Sequence, residues 1–356
     1  MGRKGYKAII LFFGLLASCV KDKPTPIGNT SVPNSSHNVF IACEGRYPNN
    51  DASLYAYNSK TDSVYGDLYK SANNNPLGIV FQSMTRIGDF FYLALNGSNK
   101  VVVINATDYH YVTEIAVPVP RYILKVSASK AYVSALYHDK VYVLNTLTNS
   151  LVDSIQVPNM NTEGMCMVNN EAIICAWDTK GNHIYVVDIV TDKVVRSIKT
   201  SGYAPQEVLV DKDQLLWVLS GYQPGGIVAT LDRIDPSTGN IVASFIFPSA
   251  ANPMKPVFNK TKDTLYFIEV NYSSGKDNNG IYRMGIHEQA LPVNALIPAN
   301  TNTYFYALGI NPTDGNIYVG DPLGFSQKGR LYIYHPDGAL LKNYLVGYGP
   351  GHFYFD

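Results

Sequence analysis

The sequence predicts an all-β protein, a seven-bladed β-propeller, and three observations lead there. A strand couplet recurs roughly every forty to fifty residues, a period that marks a blade array rather than a single sheet. The couplets are short runs of β-branched and aromatic residues, and one such small sheet cannot bury both of its faces without neighbours. The last strand-like run of the chain has no couplet of its own.

Residues 1–18 stand outside that pattern. Arg3, Lys4 and Lys7 give a positive start, Ala8–Ala17 an apolar run too short for a comfortable membrane span, and Leu16-Ala17-Ser18-Cys19 follows. This order resembles a bacterial lipoprotein signal, which implies cleavage before Cys19 and a mature chain held to a membrane by acyl chains on that residue. Residues 19–36 are rich in Lys, Pro, Asn, Ser and Thr, too polar to pack a core, and read as a tether. Residues 37–356 form the single propeller domain. The chain carries 28 Lys and Arg against 28 Asp and Glu, and losing three basic residues with the leader leaves it slightly acidic, without the basic face that nucleic acid requires.

The first copy places Val39–Ala42, Leu54–Tyr57 and Val64–Tyr69 in strands but lacks an innermost strand. Six complete copies follow, with couplets at Phe91–Leu93 and Val101–Ile104, Ala131–Val133 and Val141–Val143, and Ile173-Ile174 and Ile184–Val187. The series continues with Leu216–Val218 and Thr230–Ile234, Leu265–Ile268 and Ile281–Arg283, and Ile317–Val319 and Leu331–Tyr334. Pro350–Phe355 is left over, and it is expected to supply the missing inner strand of the first blade, closing the ring and removing its exposed edges.

The two faces differ in their connections. Turns from first to second and from third to fourth strand are tight and rich in Asn, Asp and Gly, as at Asn105–Asp108 and Asp235–Gly239. Loops from second to third strand and between blades are longer and share the other face. They carry Arg46, Tyr47, Arg121, Tyr122, Tyr137, Trp177, Tyr203, Gln206, Tyr222, Tyr272, Tyr304, Phe325 and Tyr348, which we take as candidate ligand-binding residues. Flat rings with amide and guanidinium donors give contact area at small entropic cost. Loop packing is the alternative for the aromatics, and a salt bridge between blades the alternative for Arg121. Strand tyrosines such as Tyr92, Tyr132 and Tyr318 are read as structural.

Signatures of catalysis are missing from the sequence: it has no Gly-x-Ser-x-Gly elbow and no phosphate-binding Gly-rich loop, and His287-Glu288 lacks the second histidine of a zinc helix. The expectation is a binding protein rather than an enzyme, with no cofactor and no metal. Cys43, Cys166 and Cys175 have no repeated spacing; the last two flank a turn, where buried thiols or a cross-strand disulfide are both open.

Specific strings sharpen the expectation. Glu44-Gly45 with Asn50–Leu54, Pro76-Leu77-Gly78 with Gln82-Ser83-Met84, Pro120–Ile123, Glu163-Gly164-Met165, and the closing Pro350-Gly351 with Phe353 and Phe355 resemble the YncE-like seven-bladed propeller lipoproteins of the Bacteroidetes outer surface, most of all their BtuG type. The resemblance spans nearly all of the mature chain. It implies a lipid-anchored protein at the cell surface that binds cobalamin or related corrinoids and passes them to an outer-membrane TonB-dependent transporter. The other readings are a surface binder of a glycan or another nutrient, a propeller lyase or glycosidase, and a purely structural platform.

Overall fold

The computed structural model describes residues 37–270, 280–299 and 303–356. The leader, Cys19, the tether and Tyr272 lie outside the described residues. Seven four-stranded antiparallel sheets make up the ring, so the propeller expectation holds. Blade 1 consists of β1 (Asn38–Cys43), β2 (Ser53–Asn58) and β3 (Ser63–Tyr65), with β28 (Pro350–Phe355) innermost. The inner strands of blades 2 to 7 are β4 (Phe81–Ile87), β8 (Pro120–Lys125), β12 (Thr162–Val168), β16 (Pro205–Val210), β20 (Asn252–Phe258) and β24 (Ala307–Ile310).

Closure takes the expected form. Val39, Phe40 and Ile41 pair with Phe355, Tyr354 and Phe353, so β1 has hydrogen-bonded neighbours on both sides and the two ends of the domain meet in one sheet.

The core is distributed between blades rather than gathered at one centre. Seven apolar clusters occupy the seven interfaces; one runs Phe40, Leu54, Phe81, Phe91 and Leu93 between blades 1 and 2, and another Trp217, Leu231, Leu265 and Phe267 between blades 5 and 6. Middle strands therefore bury both faces, which is why β5 (Phe90–Leu95) reads as a near-continuous apolar run instead of alternating. Tyr92, Tyr132 and Tyr318 are buried in these interfaces, as their strand positions suggested. Cys43, Cys166 and Cys175 are free thiols, and Cys166 pairs in register with Ile173, not with Cys175.

One expected strand is shorter. Val64–Tyr69 was expected to be extended, but β3 stops at Tyr65 and Leu68–Asn73 forms α1. Gly66 breaks the extended run, and the Asp67 carboxylate accepts the Lys70 N–H at 3.2 Å, capping the helix start.

The tight turns close on themselves. Side-chain oxygens of Asn105, Asn145, Asp188 and Asp235 each accept a backbone N–H two residues on, at 2.8 to 2.9 Å.

Candidate functional site

A β-bulge recurs where the inner strands begin, at the long-loop end of the central channel. Register breaks skip Gln82 in β4, Arg121 and Tyr122 in β8, Glu163 and Gly164 in β12, Gln206 in β16, Lys255 and Pro256 in β20 and Gly351 in β28. An extra residue in one strand leaves that residue out of the ladder and re-aims its side chain. The skipped positions thus turn polar groups out of the sheets and into the channel. In blade 7 Tyr306, just before β24, takes the equivalent place.

These side chains meet around a cavity of about 290 Å³ lined by Gln82, Arg121, Tyr122, Glu163, Gln206, Glu207, Lys255 and Tyr306, with Trp177, Tyr222 and Met254 forming its apolar wall. Arg121 is the hub. Its Nε donates to Glu163 Oε2 at 2.8 Å, one terminal nitrogen to Glu163 Oε1 at 2.7 Å and the other to Gln82 Oε1 at 2.5 Å, joining blades 2, 3 and 4. Burial opposes the guanidinium charge, but the Glu163 carboxylate outweighs it and holds Arg121 above the ordinary arginine range. A second chain crosses the channel: Tyr122 Oη donates to Glu207 Oε1 at 3.2 Å and accepts from Lys255 Nζ at 3.4 Å. On the far side Tyr306 Oη donates to Glu44 Oε1 at 2.9 Å.

Close packing makes this convergence feasible. A Cβ on Gly164 would stand 2.7 Å from the Gln206 carbonyl oxygen and 2.8 Å from Glu207 Cα, so only glycine lets blades 4 and 5 approach this closely. Burial pushes the Glu207 carboxyl up to about 7, with the Lys255 ammonium pulling the other way and the Glu163 charge adding to the rise. Glu44 is also raised by burial, again against Lys255, while His352 on β28 is driven down to about 4 by burial and by Lys255.

Of the residues singled out from the sequence, Arg121, Tyr122, Trp177, Gln206 and Tyr222 line the cavity together. Trp177 stands edge-on to Tyr222 at 5.1 Å, and its indole N–H donates to the Gly221 carbonyl at 3.1 Å, which also accepts from Gln206. Arg46, Tyr47, Tyr137, Tyr203, Tyr304, Phe325 and Tyr348 are not among the lining residues. Arg46 lies 4.1 Å over the Tyr348 ring and pairs with Asp51 at 2.7 Å; Tyr304 and Phe325 pack against Tyr306. Tyr47, Tyr137 and Tyr203 are 78%, 67% and 49% exposed. Glu207 and Lys255 escaped sequence reading. Their signal is Pro-led inner-strand starts, Pro205-Gln206-Glu207 and Pro253-Met254-Lys255, which repeat Pro120-Arg121-Tyr122.

A recess of about 340 Å³ on the opposite face lies between blades 7 and 1, among His37, Lys60 and Asp314. Although slightly larger, it gathers turn residues of two blades, whereas the funnel draws polar side chains from most of the ring.

Comparison with known structures agrees with the ring. A quinonprotein alcohol dehydrogenase-like protein from Bacteroides thetaiotaomicron superposes with a TM-score of 0.65 at 15% identity, over 90% of this chain and 78% of that one. A protein from Lactobacillus plantarum gives 0.65 at 11% identity, over 90% and 99%. Hydrazine synthase from Kuenenia stuttgartiensis gives 0.60 at 17% identity, over 76% and 87%. Identities this low speak for the fold alone. No curated protein matches the chain in sequence. The family described as a domain of unknown function, DUF5074, matches residues 37–355, the whole of the propeller, and this chain belongs to that family.

Proposed function

We propose that this protein is a lipid-anchored binding protein of the outer cell surface that captures a corrinoid on its long-loop face and passes it, chemically unaltered, to an outer-membrane TonB-dependent transporter. The observation that carries the reading is the pairing of an aromatic mouth with a polar, pre-formed funnel. A cavity of about 290 Å³ is too small to enclose a corrinoid. Such a ligand would lay its amide-edged ring across the exposed tyrosines of the rim and insert one limb. The funnel's cross-blade hydrogen bonds fix its groups in advance, which lowers the ordering cost of binding. The sequence resemblance to BtuG-type lipoproteins supports the same ligand class and the same transfer partner.

Titration with cyanocobalamin tests this. The chain has two tryptophans, of which Trp217 is buried and Trp177 lines the funnel, so saturable quenching that disappears in Trp177→Phe is expected. Neither heat nor quenching with cyanocobalamin would overturn the corrinoid reading. Screening glycans and other nutrients for thermal stabilisation separates the same face's other ligand classes.

One observation favours a second reading. Tyr122, held between Glu207 and Lys255, is an arrangement capable of acid–base chemistry on a polysaccharide, as in a lyase or glycosidase. Turnover that is lost in Glu207→Gln would establish it.

A further inference from the structure

The funnel holds two cations with different surroundings. Every nitrogen of the Arg121 guanidinium is engaged by Glu163 or Gln82. Lys255 is not matched in this way. Among the described residues its Nζ has one hydrogen-bond partner, the Tyr122 hydroxyl at 3.4 Å, and no carboxylate oxygen within 4.0 Å. That hydroxyl directs its own proton to Glu207 and so offers Lys255 a neutral oxygen, while the Glu207 and Glu44 carboxyls feel the ammonium only from beyond ion-pair distance.

Two further features single out this lysine. Its backbone is left-handed, with φ of 53°, directly before Pro256; bulky residues seldom adopt that region, and a following proline restricts the backbone further. Strain of this kind persists where the surrounding structure fixes it, and here it fixes the root of a cation at a bulge facing the channel. The Asn252 side-chain amide lines the same cavity and makes no hydrogen bond to a described residue. An ammonium and an amide lining the same cavity form a donor set for a single oxyanion.

We propose that Lys255, with Asn252, forms an oxyanion subsite in the funnel wall that receives a singly charged phosphodiester or carboxylate carried by the inserted limb of the ligand. The assignment deepens the corrinoid reading and rests on it for the identity of the whole ligand, since a corrinoid's nucleotide tail carries one phosphodiester. A uronate sugar would present the carboxylate form of the same chemistry.

The test titrates the full chain and its Lys255→Gln and Lys255→Arg variants with cyanocobalamin, with dicyanocobinamide, which keeps the ring but lacks the phosphodiester, and with dimethyl phosphate and glucuronate alone at constant ionic strength. Lys255→Gln is expected to weaken cyanocobalamin about tenfold or more, the scale of one charge-assisted hydrogen bond, and to leave dicyanocobinamide within about twofold. Lys255→Arg should recover most of the loss. Equal losses for both corrinoids, or none for either, would overturn the subsite. Should wild type bind neither corrinoid, the corrinoid reading fails and the small anions decide alone. Millimolar binding of dimethyl phosphate or glucuronate that vanishes in Lys255→Gln supports the subsite and, by which anion is preferred, names its source; no binding of either anion overturns it.

Discussion

The two faces of the propeller are made by the same strands, yet the turn side chains of one and the funnel side chains of the other are satisfied in different ways, even though ion pairs such as Lys130–Asp192 also join blades at the short-turn end. On the short-turn face Asn145 and Asp235 return hydrogen bonds to their own turn, two residues away. On the funnel face Arg121 reaches Glu163, Tyr122 reaches Glu207 and Tyr306 reaches Glu44, each on another blade. These two side chains serve their own turns, although a neighbouring blade reaches each turn through its backbone: Tyr92 donates to the Thr146 carbonyl and Arg196 to the Pro236 carbonyl. Cross-blade satisfaction couples blades and fixes a site. A substitution of Asn145 or Asp235 should therefore stay local, whereas one among the cross-blade funnel groups should be felt in both stability and binding.

The sharpest way to break this contrast is Glu163→Ala. It leaves Arg121 in the funnel without its carboxylate, and a loss of about 3 kcal/mol is expected, toward the low end for a broken buried pair because Arg121 keeps some solvent contact. Denaturant unfolding at neutral pH measures it, and a loss below about 1 kcal/mol would mean that the pair does not tie the blades together.

The next effect is a pH dependence. The Glu207 carboxyl lies near 7 in the folded protein against 4.5 as its ordinary value, so the folded state holds this proton more tightly. Its contribution to stability is full below pH 4.5 and is lost as pH rises through about 7. Glu207→Gln removes that loss, and its stability relative to wild type should climb between those limits by on the order of 2 kcal/mol and then level off. Glu269, also raised to about 7 by burial, and His352, lowered to about 4 with the opposite sign, are present in both proteins and cancel in the difference. A difference that stays flat with pH would sink the assignment.

Binding comes third. Trp177→Ala should weaken cyanocobalamin about tenfold and also cost about 1 kcal/mol of stability, because it removes the indole N–H that donates across blades to the Gly221 carbonyl. Smallest is the control on the other face: Asn145→Ala removes acceptors for the Leu147 and Thr148 N–H groups and should cost about 1 kcal/mol or less, with no change in ligand affinity. A change in affinity there would erase the distinction between the faces.

The sequence made the scaffold readable because each blade repeats one simple demand, an apolar middle strand buried on both sides, as in Phe90–Leu95. Closure was readable for a complementary reason: the first copy lacked a strand and Pro350–Phe355 lacked a blade. Half of the funnel was readable too, since Arg121, Tyr122, Trp177, Gln206 and Tyr222 sit in the long connections. Glu207 and Lys255 were hidden because strand alternation assigns a face only while register holds, and the bulges shift it within one residue. The ordering of Leu68–Asn73 as a helix was hidden by its hydrophobic start, where the local cap at Asp67 outweighed strand propensity.

The closing pair of strands has a mechanical consequence. The chain enters the ring at His37, on the short-turn face beside Asp356, and runs straight into β1 between β28 and β2. A pull through the residues before His37 would load β1 along its length, against ladders on both flanks at once. Strands loaded in that way must slide rather than peel, with many hydrogen bonds resisting together. The same entry point lies on the face opposite the funnel, so that load would reach the ring at its plain end rather than at the site.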